Sequence, residues 1–206
     1  MCWLGAAGRA EIIDRIAATV EDRLITLSDV LQEIRIAALL DGTAPAFTAE
    51  RKREALERLI EYHLLARDME LTRFPVPAPA EVREFLAQVR KARAPEGGAW
   101  RRELERYGVG EAALEEHLAR RLAVLRYIEF RFRPEALLSE GEIREYGRRQ
   151  ALAAARGAGG STPPAEEARR ASEAALAAER VDELVDAWLK DARRRARIRY
   201  REGALE

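Results

Sequence analysis

Capping residues and helix breakers recur along this chain at spacings that divide it into short amphipathic segments, and this punctuation is its strongest constraint on fold. Thr26 or Ser28 is placed to cap a helix running through Leu40, and Asp41-Gly42 followed by Pro45 stops it. Thr48 is positioned to start the next, in which Leu56, Leu59, Ile60, His63 and Leu64 recur at helical spacing up to about Thr72. Pro75, Pro77 and Pro79 then break the pattern. Pro79 suits a first helical turn, where a missing N–H costs nothing, and predicts a helix to about Arg93. Pro95-Glu96-Gly97-Gly98 reads as a loop, and Ala99 to Tyr107 as a short helix. Gly108 fits the left-handed residue that ends it, with Val109 folding back on the preceding turn. A longer helix from Glu111 carries Leu114, Leu118, Leu122, Leu125, Ile128 and Phe132 on one stripe and ends before Pro134.

Ser139-Glu140-Gly141-Glu142 has the spacing of a capping box, so a further helix starts there. Gly157 to Pro164 is the most linker-like stretch of the chain. From Ala165 to about Arg194 a long helix carries Val181, Leu184, Val185, Trp188 and Leu189 on one face. The two ends differ from all this. Ile12 to Thr26 alternates and is β-branched, as a small hairpin requires, and Ala196 to Tyr200 alternates like a closing strand. Pairing of these end segments is expected. The fold class that follows is mainly α, with several helices and a small β element joining the N-terminal hairpin to the C-terminal strand.

Asp plus Glu and Lys plus Arg number 36 each, so no bulk field draws nucleic acid or an anionic membrane, and nucleic-acid binding is not expected. The basic side chains are nearly all arginine, with lysine only at Lys52, Lys91 and Lys190. Cys2 is the single cysteine, which excludes an internal disulfide and a cysteine-based zinc site built from one chain. No apolar run approaches the roughly 20 residues that cross a bilayer, so no transmembrane segment is expected. Residues 1–11 read either as a frayed tail or as the remnant of a signal peptide, with Gly8 and Ala10 resembling the end of one.

No catalytic cluster interrupts the helices. His63 lies on an apolar stripe and His117 beside Leu118, neither with a cysteine, serine or carboxylate at a recognised motif spacing, so both read as structural. Carboxylates alternate with arginines, as in Arg101-Arg102-Glu103-Leu104-Glu105-Arg106, which suits solvated helix faces. No phosphate-binding loop argues for nucleotide, and no cofactor is implied. The run Arg193 to Arg201 is the one dense basic stretch. Arginines that complement a helix end and protect an edge strand explain it better than phosphate contacts do.

Five stretches, in order, resemble the N-terminal chaperone domain of the SurA family of envelope folding factors. They are Arg15 to Val30, Leu56 to Ala66, Val76 to Phe85, Tyr107-Gly108-Val109-Gly110 with the helix to Tyr127, and Leu138 to Tyr146; the likeness resumes from Val181 to Tyr200. It implies a chaperone core over 12–156 and a returning helix and strand over 165–206 that complete the same domain. Residues 157–164 would be a linker where the family carries a parvulin prolyl-isomerase domain. Only Gly147 to Arg180 fill that place, too few for such a domain. Glu21 stands where the family often has Asn or Asp in the hairpin turn, and Ala78 and Gly110 where it usually has Ser or Thr caps.

The implied function is that of an ATP-independent holdase, not an enzyme, acting on unfolded or outer-membrane polypeptides in the periplasm or cell envelope. Such a protein needs aromatic side chains reachable by clients, and Trp100, Tyr107, Tyr127, Phe130 and Phe132 are the candidates. The run Tyr127, Phe130, Phe132 is too apolar all round for a single buried stripe. The rival reading is a helical interaction module with one dedicated partner, or a homodimer that exchanges its C-terminal helix and strand. Prolyl isomerisation comes third.

Overall fold

A computed structural model describes residues 14–94, 98–156 and 164–206. The expected tail at 1–11, the start of the hairpin at Ile12 and Ile13, the loop residues Pro95 to Gly97 and positions 157–163 of the linker lie outside the described residues. The protein is mainly helical with one small antiparallel sheet. Strands β1 (Ile16–Val20) and β2 (Arg23–Thr26) lead into helices α1 (Leu27–Asp41), α2 (Ala49–Thr72), α3 (Pro79–Arg93), α4 (Ala99–Tyr107) and α5 (Glu111–Phe132). A 3₁₀ turn at Arg133–Glu135, helices α6 (Glu140–Arg156) and α7 (Ala165–Arg195), and strand β3 (Ile198–Tyr200) complete it. The described residues form two compact units, one of 14–63, 87–94, 98–114 and 197–206, the other of 64–86, 115–156 and 164–196. The returning segment is thus divided, α7 going to the second unit and β3 to the first.

In the first unit β1 lies between β2 and β3, antiparallel to both, so the two ends of the described chain pair as their alternation predicts. A register shift between Ile16 and Ala18 lets both Ala17 and Ala18 turn inward, where strict alternation puts them on opposite faces. Glu21 makes the two-residue turn with φ of 55°, a conformation that strains any residue with a Cβ. Its other bonds offset the strain. The Glu21 amide donates to the Arg197 carbonyl at 2.9 Å. Its carboxylate accepts from the Arg197 amide at 3.3 Å and from Nε at 3.0 Å. The turn therefore grips the incoming strand β3, and this is what Glu offers that Asn does not.

Helix boundaries follow the local chemistry. Thr26 caps α1 in a reciprocal box, its hydroxyl accepting from the Asp29 amide while the Asp29 carboxylate accepts from the Thr26 amide. The Thr48 hydroxyl accepts from Arg51 N at the start of α2. Ala78 contributes no side-chain oxygen at the start of α3, and Glu81 instead reaches back to accept from the Ala78 amide at 2.8 Å. Gly108 ends α4 at φ of 64°, with Val109 N donating back to the Leu104 carbonyl and the Val109 side chain buried, as the sequence indicates. Trp100, Leu104 and Tyr107 fall on one face of α4, and that helix packs on α1.

Gly42 terminates α1 at φ of 72°, beside a cation from another helix. No basic residue occupies the last turn of α1, and the Arg93 guanidinium at the end of α3 lies over Gly42, within 3.6 Å of Glu103 on α4. A positive charge at a helix carbonyl end is favourable. One arginine thereby ties three helices of the first unit together. A methyl group at position 42 would fall 2.3 Å from its Nη1.

In the second unit α6 and α7 pack closely. The Ser139 box at the start of α6 forms, Glu142 N donating to the hydroxyl at 3.2 Å and Ser139 N to the Glu142 carboxylate at 2.8 Å. Those contacts from the Ser139 amide and hydroxyl hold the Glu142 carboxyl below its usual range, and Arg180 of α7 donates to the same group at 3.0 Å. Tyr146 donates to Glu179 at 2.6 Å. Gly147 admits the close approach of α7, because a Cβ there would sit 3.1 Å from the Ser172 hydroxyl oxygen. Elsewhere in this unit Arg126 of α5 makes a two-pronged bond to Glu81 of α3, and that hydrogen bond, with the Ala78 amide, pulls the Glu81 carboxyl down to about 2.

Two outcomes test these contacts. Gly42→Ala is expected to lower stability by about 1–2 kcal/mol in urea titration, from the left-handed backbone alone, with Arg93 displaced besides. Gly110→Ala, in open space with no positive φ but at the cap of α5, is expected to cost about 0.5–1 kcal/mol, the smaller loss of the two. The second concerns pH. Glu81 stays ionised in the folded state to lower pH than in the unfolded chain, so its contribution is complete above about 4.5 and is lost as pH falls toward 2. Thermal midpoints of Arg126→Gln should accordingly fall less steeply across that window than those of the parent protein.

Candidate functional site

The end of α2 sets the geometry. Arg73 adopts φ of 53°, its amide donating to the Glu70 carbonyl at 3.2 Å and Phe74 N to the Met69 carbonyl at 2.9 Å. This is a helix-ending turn made without glycine, and it aims Phe74 back against the helix layer. Phe74 meets Tyr127 of α5 edge-on at 5.1 Å between ring centres and Phe130 at 5.3 Å. The Tyr127 hydroxyl donates to the Asp68 carboxylate, and burial, with that carboxylate beside it, pushes the hydroxyl above its ordinary range.

Several large apolar side chains of this unit are exposed. Phe130 is 63 % exposed, Leu71 74 % and Val76 85 %. Leu125 on α5 and Leu137 after the 3₁₀ turn are exposed as well. Large apolar side chains normally leave water, so several of them along Leu71 to Val76 and on α5 mark a surface suited to contact. Ion pairs flank them, Arg126 with Glu81 and Arg131 with Glu135 at 2.7 Å. The arrangement offers apolar side chains with ion pairs near them in the chain.

The five aromatic residues singled out from the sequence lie in different environments. Tyr127 is fully buried, and Phe132 is buried against Val181, Val185 and Trp188 of α7. At about 100° per residue, positions 127, 130 and 132 point three ways from one helix, and the all-round apolar character of α5 comes from having packing partners on two sides. Trp100 and Tyr107 are buried in the first unit, the Trp100 indole N–H donating to Glu111 at 3.1 Å. Phe130 alone of the five is exposed. Leu71 and Val76 were not singled out. The signal for Val76 is the stretch Phe74-Pro75-Val76-Pro77, since an apolar residue between prolines belongs to no helix stripe that could bury it, whereas Leu71 lies in the last turn of α2.

His63 and His117 are both half-buried on helices, and among the described residues no cluster of His, Cys, Asp and Glu could hold a metal ion. No helix among the described residues is long and apolar enough to cross a membrane. The basic run is largely occupied: Asp191 accepts from Arg194 at 2.9 Å and from Arg195 at 2.8 Å, and Glu21 holds Arg197. Neither a family model nor a curated protein sequence matches the chain.

Truncation should separate packing from surface. Phe132→Ala is expected to cost about 3–5 kcal/mol in chemical denaturation. Phe130→Ser, losing mainly one ring contact, should cost about 1 kcal/mol or less.

Proposed function

We propose that this protein is an ATP-independent holdase of the SurA-like type, retaining unfolded polypeptides, outer-membrane proteins among them, in the bacterial envelope. The single observation that carries the reading is the exposure of large apolar side chains in the second unit, Leu71, Val76 and Phe130, the last in ring contact with Phe74. Burying such side chains against a client is favourable by about 25 cal/mol per Å² before ordering costs, which favours weak, unspecific retention. The ordered likeness to the SurA chaperone domain supports the same reading, as does the occupation of Gly147 to Arg180 by the end of α6 and the start of α7, with no room between them for an isomerase domain. Holding of this kind needs no nucleotide and no bond-making residue.

The test dilutes a denatured outer-membrane protein into buffer with equimolar folded chain and no ATP, and follows light scattering. Suppression that Phe130→Ser weakens, with the protein still folded and its thermal midpoint lowered by at most about 4 °C, is the expected result. Scattering equal to that of a buffer control would overturn the assignment.

A further inference from the structure

Of the two outer strands of the sheet, β2 is the more guarded. Its Thr26 amide is taken by Asp29 and the chain turns directly into α1. Strand β3 is different. Glu21 N donates to the Arg197 carbonyl and Arg201 N to the Ala17 carbonyl, both at 2.9 Å, so residues 197 and 201 turn their backbone toward β1. In an antiparallel ladder alternate residues face opposite edges, and Ile198 therefore directs its N–H and C=O away from β1 toward the outer edge. Among the described residues β1 is the only strand paired with β3.

Side chains along this edge alternate in kind. Ile198, half-buried and opposite Val20, and Tyr200, opposite Ala18, lie on one face. Arg199, opposite Thr19, lies on the other with Arg201, and neither arginine makes an ion pair among the described residues. An antiparallel second copy of β3 would bring arginine to arginine, and like charges across a ladder repel. An extended segment carrying apolar residues at every second position and carboxylates between them meets apolar with apolar and cation with anion. We propose that β3 receives such a segment of an unfolded client as a fourth strand of the sheet. The inference rests on the holdase reading and names its client class, acidic-apolar alternating strands, the two-residue periodicity of half-buried and of membrane-barrel strands. It also explains how a surface without a deep pocket selects extended chain, because backbone pairing ignores side-chain identity while the arginines filter charge.

The test measures binding of fluorescent Val/Glu alternating, Val/Lys alternating and composition-matched scrambled peptides to the full chain. Val/Glu is expected to bind about tenfold more tightly than Val/Lys, as two cross-strand charge pairs change sign between them. Ile198→Pro removes the outward N–H without touching a bond to β1, and should abolish that binding at unchanged circular dichroism. A second variant, Arg199→Glu with Arg201→Glu, should invert the preference even if the proline variant fails to fold. Equal binding of the three peptides, an uninverted preference, displacement of the peptide by oligothymidylate, or a dimer in sedimentation that Ile198→Pro dissociates would each overturn strand addition. The light-scattering assay stands apart: its failure removes the holdase reading, while the peptide results alone decide the role of β3.

Discussion

The pairing of β1 with β3 is the constraint on which the first unit depends. The Glu21–Arg197 contact that locks it closes a sequence separation of 176 residues. Closing so long a loop costs only slowly more than closing a short one, since the cost grows with the logarithm of length, and a three-residue strand assisted by side chains suffices. The end of β3 and the residues after it secure the closure. The Tyr200 hydroxyl donates to Glu57 at 3.0 Å and Lys52 to the Leu205 carbonyl at 2.7 Å, so the chain following β1's partner is fastened to α2. A cost is paid in time rather than stability, because at roughly 5–20 residues per second β1 waits on the order of ten seconds or more for its second neighbour to be synthesised.

The second unit solves a different problem. A helix such as α5, apolar on more than one side, needs more than one partner. Asp68 and Phe74 take Tyr127, and the α7 stripe takes Phe132. Phe130, about 60° round the helix from Tyr127 and on the side away from Phe132, is left largely to solvent. Exposure here is the remainder of a packing arrangement, and the surface proposed for clients is built on a buried tyrosine that fixes the ring of Phe74.

Helix boundaries were legible in the sequence because caps are local: Thr48, Pro79, Gly108 and Ser139 each act on residues within one turn. The pairing of the chain ends was legible for a related reason, both segments carrying the two-residue period. Less visible were features that depend on a partner far away. The inward turn of Ala17 arises from a bulge, and the Glu21 conformation is held by Arg197; neither signal exists within the hairpin itself. Trp100 and Tyr107 read as client contacts because they are aromatic, yet Trp100, Leu104 and Tyr107 already stand at the spacing of a buried helical stripe. On the candidate site, periodicity marked which residues are apolar, and only tertiary structure decided which of them find cover.

The prolines around Phe74 have one further effect. A run of exposed apolar residues is ordinarily a nucleus for cross-β growth, since each added chain pairs its amides with the last. Pro75 and Pro77 have no amide hydrogen to offer, and they flank Val76, the most exposed large apolar side chain among the described residues. This exposed apolar stretch is thereby poorly suited to template fibrils of itself.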